Sequence, residues 1–179
     1  ITLATELEGH PDNVAAAFYG GATIAWLESK INSEGESSNV GRAVSLKVDD
    51  RIKALLLVPE NQLSTAKARK LLPESISHQD AVLNSSRTAL LVHALAERPD
   101  LLFTATEDLL HQKYREEAMP KSIALVEKLR GAGLAAVVSG AGPSVMVLYS
   151  GAEDEIDQIQ SVSPGFTAMK LAIAKTGVQ

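Results

Sequence analysis

A short glycine-rich turn joins two apolar segments near the end of the chain, and this order limits the folds available. The turn Ser139–Ser144, hereafter the Gly-rich turn, reads Ser-Gly-Ala-Gly-Pro-Ser and separates Leu134–Val138 from Val145–Tyr149. Both apolar segments have the length and composition of buried strands. A helical pattern precedes the first strand, and an acidic helical pattern at 152–161 and a strand pattern at Gly165–Ile173 follow the second. This order predicts a split β-α-β, ferredoxin-like arrangement.

The rest of the chain mixes strand and helix patterns. Two or three helices in succession in its middle predict an α+β fold with a mainly antiparallel sheet covered on one face. The polar segment Ile31–Arg42 has no periodicity and is predicted to be a mobile loop or an inter-domain connection. Strands are predicted at Ala22–Glu28, Ala43–Val48 and Ile52–Val58, and helices at 1–8, 11–19, Thr65–Leu72, Ser77–Glu97, Pro99–Leu110 and Met119–Gly131.

Two of the predicted helices carry clear start signals. Pro11 suits the first turn of the short helix at 11–19 because its φ is fixed near the helical value. Ser77 and Asp80 form a capping-box-like pair at the start of the long helix. The short helix is expected to bury Val14, Ala17 and Phe18 and to end at Gly20-Gly21, and the long one to bury Ala81, Leu83, Ala89, Leu90, Val92, Ala94 and Leu95.

Composition narrows the class of protein. The 179 residues are 45% apolar, which is ordinary for a globular chain and enough for one domain, or one and a fraction. The net charge of −5 and the lack of a long basic stripe argue against nucleic acid as the main partner. Cysteine is absent, which excludes disulfides and fits a cytoplasmic location. No apolar segment approaches the roughly 18 residues of a membrane span, so no membrane partner is expected.

A polar cluster precedes and opens the short helix. Glu8, His10, Asp12 and Asn13 lie within six residues of each other, where the backbone N–H groups of a helix start favour an anionic ligand. Two interpretations are open at this point. The cluster either binds a ligand, or Asp12 and Asn13 cap the helix while His10 lies at the surface.

Each of two further motifs is compatible with either a ligand-binding role or a purely structural role. Thr65 and Arg69 are four residues apart on one predicted helix face, and an Arg fork suits a carboxylate, although a solvated helix face has the same pattern. In the Gly-rich turn, two glycines let a backbone approach a ligand and direct N–H groups at an anion. A plain tight turn between strands would also use them.

Taken together, these strings resemble one family. Glu8-Gly-His-Pro-Asp-Asn-Val-Ala with Gly20-Gly21, Ser64-Thr-Ala-Lys-Ala-Arg69, Leu110-His-Gln-Lys-Tyr-Arg115 and the Gly-rich turn are similar to the motifs of homoserine kinases, and they occur in the expected order. That family belongs to the superfamily of galactokinase and mevalonate kinase. The resemblance implies transfer of the ATP γ-phosphate to the hydroxyl of L-homoserine, in threonine biosynthesis.

The resemblance also implies roles for individual residues. Glu8 corresponds to a ligand of Mg²⁺, and Asp12 and Asn13 to residues that act in catalysis by positioning the reacting groups. Arg69 and Arg115 correspond to residues that hold the substrate carboxylate. The full set implied to bind substrate is His10, Asp12, Asn13, Thr65, Arg69, Arg115, Gly140, Ala141 and Gly142.

The same resemblance predicts how the chain is divided. Residues 1–50 are expected to be the end of an N-terminal kinase domain, and 51–179 a ferredoxin-like C-terminal kinase domain with extra helices. The family's phosphate-binding loop has no counterpart in this sequence. The expected partners are therefore ATP, L-homoserine and an N-terminal part of the same polypeptide, with a homodimer plausible and the fragment alone inactive. His78, His93 and His111 lack metal-ligand spacing and are expected to be structural.

Two alternatives remain at this stage. The first is another small-molecule kinase of the superfamily, such as a mevalonate-type enzyme, against which the paired Arg69 and Arg115 argue weakly because mevalonate is also a carboxylate. The second is a non-catalytic small-molecule-binding domain, because ferredoxin-like folds serve many functions.

Overall fold

The chain forms two compact units. The computed structural model describes residues 1–31, 37–60, 68, 70–151, 156, 159 and 163–178. The first unit comprises Ile1–Val48 and Ile173–Gln179, and the second comprises Asp49–Ala172. The assignment of residues 1–50 and 51–179 to two kinase domains stays a prediction. Half of the helix predicted at Thr65–Leu72 and most of the helix predicted at 152–161 lie outside the described residues.

The first unit packs two helices against a two-stranded sheet. Helices α1 (Thr2–Glu8) and α2 (Asp12–Tyr19) precede strands β1 (Ala22–Ile31) and β2 (Ser37–Leu46). The strands are antiparallel, and Ala22 pairs with Leu46 at one end of the ladder. Gly20 and Gly21 follow α2 with φ of 73° and 61°, so the predicted helix end is confirmed.

The prediction of a loop at Ile31–Arg42 is wrong for the part that the structure describes. Strand β2 begins at Ser37, and its polar residues pair with β1: Asn39 lies opposite Ser29, and Nε of Arg42 donates to Glu28 Oε2 at 2.9 Å. Strand formation depends more on cross-strand neighbours than on intrinsic propensity, and a half-exposed strand accepts polar residues. Residues 32–36 lie outside the described part.

The buried face of α2 also differs from the prediction. Ala15 is fully buried and Pro11 is buried, whereas Ala17 is exposed and half of Phe18 is accessible. The small Ala15 lets α2 lie close to the two strands. The C-terminal segment packs at the end of this helix, where the backbone N–H of Val178 donates to the carbonyl of Ala17 at 2.9 Å.

The second unit has the predicted ferredoxin-like sheet. Its strands are β3 (Lys53–Pro59), β4 (Ala135–Val138), β5 (Val145–Tyr149) and β6 (Phe166–Leu171), in the spatial order β4-β5-β3-β6. Every neighbouring pair is antiparallel. The first and second strands are thus separated in space by the third, as in a split β-α-β unit, and the α+β prediction is confirmed.

Helices cover one face of this sheet. Helix α3 (His78–Ala96) follows β3, and a 3-10 turn (Pro99–Leu101) leads into the short α4 (Leu102–Ala105). A second 3-10 segment (Lys113–Ala118) leads into α5 (Pro120–Gly131). Alternate residues of three strands form one side of the buried core: Leu55, Leu57, Ala136, Val138, Val145, Val147 and Tyr149. They pack with Met119, with residues of α5 and with two helical residues between β5 and β6: Ile123, Leu125, Val126, Leu129, Ile156 and Ile159.

Two helix predictions need correction in this unit. The cap is as predicted, because Ser77 Oγ accepts from Asp80 N–H at 3.0 Å, but Leu83 and Ala89 are exposed. The predicted helix Pro99–Leu110 ends at Ala105. Asp108 explains the ending, because its carboxylate bonds to following backbone N–H groups and competes with helix formation.

Among the residues described, no helix combines the length and apolar character needed to cross a membrane.

Candidate functional site

The Gly-rich turn is the central feature of the candidate site in the second unit. It connects β4 to β5 and is closed by two backbone bonds: Ser139 N–H donates to Ser144 O at 2.8 Å, and Gly142 N–H donates to Ser139 O at 3.0 Å. Gly140 and Gly142 have φ of 58° and 85°, which other residues adopt only with strain. The predicted tight turn between strands is confirmed.

Two backbone donors in the turn can receive a ligand. No described residue accepts a hydrogen bond from the N–H groups of Gly140 or Ala141. Gly140 is exposed and Ala141 partly exposed. Successive N–H groups of this kind form a concave site for an anionic or carbonyl oxygen.

Arg115 lies against this turn and is 7% exposed. Its Nη1 donates to the carbonyl oxygen of Gly140 at 2.9 Å. The Gly140–Ala141 peptide is trans and planar, so the N–H of Ala141 is directed away from the carbonyl that Arg115 holds. The structure therefore places Arg115 next to Gly140–Gly142, the predicted substrate-binding turn.

Three more side chains from the segment that precedes and opens α5 hold the turn. Gln112 Oε1 accepts from the N–H of Val138 at 2.7 Å, and Ser122 Oγ donates to Pro143 O at 2.5 Å. The side chain of Met119 fills the space beside Gly142. We call Gln112, Arg115, Met119 and Ser122 the turn clamp. Only Arg115 was predicted from the sequence, because the residue types of Gln112, Met119 and Ser122 reveal nothing until their contacts with the turn are known.

The loop before the turn clamp is itself ordered by polar side chains. Asp108 accepts from the backbone N–H groups of His111 and Gln112 at 3.0 and 2.6 Å, and its Oδ1 is 2.9 Å from His111 Nδ1. Asn84 and Arg87 tie the same loop to α3: Asn84 Oδ1 accepts from Leu109 N–H at 3.0 Å, and Arg87 Nε donates to Glu107 at 2.6 Å.

Replacement of Asp108 by Asn is expected to destabilise the protein by about 1 kcal/mol at neutral pH, which is typical for loss of a capping interaction. Burial alone would raise the pKa of Asp108, but hydrogen bonds from His111 and from backbone N–H groups outweigh it and lower the pKa. A lowered pKa in the folded state adds stability above the unfolded pKa, and this is lost as pH falls through the folded value. Urea unfolding of both proteins from pH 7 to pH 2.5 should therefore show the difference shrinking below about pH 4. A difference that stays constant with pH would contradict this origin.

The predicted polar cluster lies in the first unit, at the junction of α1 and α2. His10 Nδ1 is 3.3 Å from Asp12 Oδ1, and Asp12 Oδ1 accepts from the backbone N–H of Asn13 at 2.9 Å. His10 is one-quarter exposed and Asp12 is 71% exposed. The structure thus brings these three residues together at the start of α2, where Pro11 is the N-cap residue.

Glu8 is the last residue of α1 and is exposed. Among the residues that the structure describes, no group of three or more His, Cys, Asp or Glu side chains could hold a metal ion. Mg²⁺ takes one or two carboxylates and fills its other positions with phosphate oxygens and water. A single exposed carboxylate therefore fits the chemistry of a Mg²⁺ ligand in a nucleotide-bound site. Thr65 and Arg69 lie outside the described residues.

Comparison with known proteins finds a family match within the second unit. Residues 86–163 match the family described as GHMP kinases C terminal, and they include the whole turn clamp and the Gly-rich turn. The match assigns this segment of the second unit, residues 86–163, to that family.

Similar proteins extend the match to nearly the whole chain. Homoserine kinase of Streptomyces coelicolor is 47% identical over 178 residues, which are 99% of this chain and 54% of that protein. Homoserine kinase of Mycobacterium tuberculosis is 46% identical over 176 residues, covering 98% of this chain and 54% of that protein. The chain therefore spans about half the length of the relatives it matches.

A solved structure shows the same fold. Homoserine kinase from Cytophaga hutchinsonii superposes with a TM-score of 0.69 over 93% of this chain and 53% of that chain, at 22% sequence identity. At that identity the likeness concerns the fold alone.

Proposed function

We propose that this chain is the C-terminal part of a homoserine kinase, which transfers the γ-phosphate of ATP to the hydroxyl of L-homoserine in threonine biosynthesis. The observation that carries the proposal is the 47% identity to a homoserine kinase along 99% of the chain. It is supported by a ligand-accessible pair of N–H groups at Gly140 and Ala141, beside a buried cation. Phosphoryl transfer depends on positioning and charge stabilisation, which such groups supply.

In the second unit, the proposed ligands are oxygens of the substrates. The N–H groups of Gly140 and Ala141 would receive an anionic oxygen, and Gly142 gives the backbone the shape that exposes them. Arg115 would bind the carboxylate of homoserine, together with Arg69 and Thr65. A guanidinium has five N–H donors in a planar fork, so a bond to Gly140 O and a bond to a carboxylate are compatible.

In the first unit, the proposed role is to orient the amino acid. Asp12 carries a carboxylate that can accept from an ammonium or from the reacting hydroxyl, and its contact with His10 holds the two side chains together. Asn13, which follows Asp12 in the first turn of α2, can donate to and accept from the hydroxyl. None of these residues is assigned as general base.

ATP and Mg²⁺ are the proposed cosubstrate and metal ion. Glu8 would supply one carboxylate to the Mg²⁺, which neutralises phosphate charge when bound. The phosphate-binding loop is proposed to come from an N-terminal part of the same polypeptide. A homodimer and a cytoplasmic location complete the proposal.

Activity of the full-length protein that contains this chain tests the proposal. Formation of ADP should depend on L-homoserine, and kcat/KM for homoserine should exceed that for mevalonate by about 10⁴-fold, as expected when a site pairs its polar groups with one substrate only. Omission of the acceptor gives the background ATPase rate. Preference for mevalonate would assign the protein to another kinase of the superfamily, and saturable binding without turnover of either compound would indicate a non-catalytic binding domain.

A further inference from the structure

We propose that Ser122 and Gln112 are positioning residues, which hold the two ends of the Gly-rich turn so that its N–H groups can bind an anionic oxygen of a substrate. The inference rests on the proposed function for the identity of the ligand. That Ser122 and Gln112 fix the two ends of the turn is inferred from the structure alone.

Ser122 controls the second end of the turn. It is 2% exposed, lies in the first turn of α5, and donates its hydroxyl to the carbonyl of Pro143 at 2.5 Å. Neighbouring residues of α5, Ile123 and Val126, are buried in the core, so the hydroxyl is presented from a rigid element. Because the Pro143–Ser144 peptide is planar, holding the carbonyl of Pro143 also fixes the N and Cα atoms of Ser144. The carbonyl of Ser144, in the next peptide, accepts the closing bond from Ser139 N–H.

Gln112 controls the first end of the turn. Val138 is the last residue of β4, which is an edge strand of its sheet, and its N–H donates to Gln112 Oε1 at 2.7 Å. An N–H on a strand edge would otherwise need water or another acceptor. The amide side chain therefore fixes the point at which the chain leaves the sheet and enters the turn.

Both ends are thus held from one continuous segment. Between Gln112 and Ser122, Arg115 holds Gly140 O and Met119 packs beside Gly142. The turn has two internal backbone bonds, and side chains add two bonds to its own carbonyls and one to Val138, so the side chains contribute at least as much as the backbone to its shape. Small displacements of a donor at a reacting centre reduce rate strongly, which makes residues behind the turn relevant to activity.

The bound oxygen can come from either substrate, the carboxylate of homoserine or a phosphate of ATP. The two sources share one chemistry, an anionic oxygen held by two N–H groups. Separate KM values for the two substrates distinguish them, because loosening of the turn should raise the KM of the substrate that the turn contacts.

Ser122→Ala in the full-length protein, with Ser163→Ala as a matched control, tests the inference. Ser163 is also 2% exposed and also donates to a backbone carbonyl, that of Ile159 at 2.8 Å, but it does not contact the turn. We expect similar falls in melting temperature for both variants. Only Ser122→Ala should lower kcat/KM, by about 10-fold, which corresponds to the net worth of one hydrogen bond.

Gln112 provides a second pair of variants in case Ser122→Ala does not fold. Gln112→Glu keeps an acceptor oxygen at the same reach, whereas Gln112→Met removes it at similar volume. Activity should fall in the Met variant and be largely retained in the Glu variant. Equal activity in both, or equal losses in Ser122→Ala and Ser163→Ala, would overturn the inference.

Amide hydrogen exchange separates this inference from the proposed function. The N–H of Gly142, bonded to Ser139 O within the turn, should exchange about 10-fold faster in Ser122→Ala than in Ser163→Ala, since a looser turn opens more often. This measurement needs only a folded protein. Unchanged exchange in Ser122→Ala would refute the hold on the turn. If exchange is faster in Ser122→Ala but the wild-type protein does not phosphorylate homoserine, only the proposed function is refuted.

Discussion

Replacement of Arg115 by Ala is expected to lower kcat/KM for L-homoserine by about 100-fold or more, the usual cost of removing one partner from a desolvated charge pair. Arg115 is nearly buried, and its guanidinium lies against the Gly-rich turn. If it also binds the substrate carboxylate, the loss should appear mainly in KM for homoserine. Steady-state kinetics of the full-length protein, with ATP saturating, measure the effect.

A substrate without a carboxylate distinguishes direct binding from positioning. In the amino diol formed by reducing homoserine, the carboxylate is replaced by an uncharged hydroxymethyl group. If Arg115 binds the carboxylate, the variant should lose little further activity on this compound, because the interaction is already absent. If Arg115 acts only through Gly140, both compounds should lose activity by the same factor, and the assignment of Arg115 to the carboxylate would be abandoned.

Arg130→Ala is the matched control for this experiment. Arg130 also lies in the second unit and also bonds to the backbone, donating through Nη2 to Phe103 O at 2.7 Å while stacking 4.5 Å from the Phe103 ring centroid. It contacts Thr106 and Ala136 rather than the turn. Its removal should lower the free energy of unfolding without a selective rise in the KM for homoserine.

The sequence predicted elements best where local chemistry and tertiary packing agree. The strands Lys53–Pro59 and Val145–Tyr149 are apolar and buried, and Ser77 both looks like a cap and acts as one. Only the second part of strand Ser37–Leu46 was predicted, because its polar start has low strand propensity and the pairing with Ala22–Ile31 that stabilises it is a tertiary interaction. The helix expected at Pro99–Leu110 was too long because the Asp108 cap was not recognised.

Residues of the candidate site could be predicted where they belong to a recognisable sequence motif. The Gly-rich turn carried a signal in its residue types, Arg115 was predicted from the resemblance of its segment to a family motif, and the structure brings the two together. Gln112 and Ser122 carried none, because an amide or a hydroxyl near a helix start is common and becomes informative only when its partner is known. Roles that depend on contacts between distant segments are therefore the ones that the sequence alone does not reveal.

Replacement of Gly142 by Ala is expected to destabilise the protein by about 2–4 kcal/mol, because two costs combine. The residue has φ of 85°, in the left-handed region where a side chain is strained. A Cβ would also lie 2.7 Å from Met119 Sδ and 3.0 Å from Val138 Cγ1, and Met119 is only 4% exposed, so it has little room to move. Urea unfolding of the two proteins measures the difference.

Gly140→Ala separates the two costs, since Gly140 has a φ of 58° but no atom within 4 Å of an added Cβ. It should lose only the backbone contribution, about 1 kcal/mol. The steric share can be isolated further by combining Gly142→Ala with Met119→Ala: the double variant should be more stable than the sum of the single effects by about 1 kcal/mol or more. Equal losses at Gly140 and Gly142, together with additive effects at Met119, would show that the packing of Met119 against the turn does not constrain it. The turn clamp would then consist of its three hydrogen-bonding members, and the shape of the turn would depend on Gln112, Arg115 and Ser122 alone.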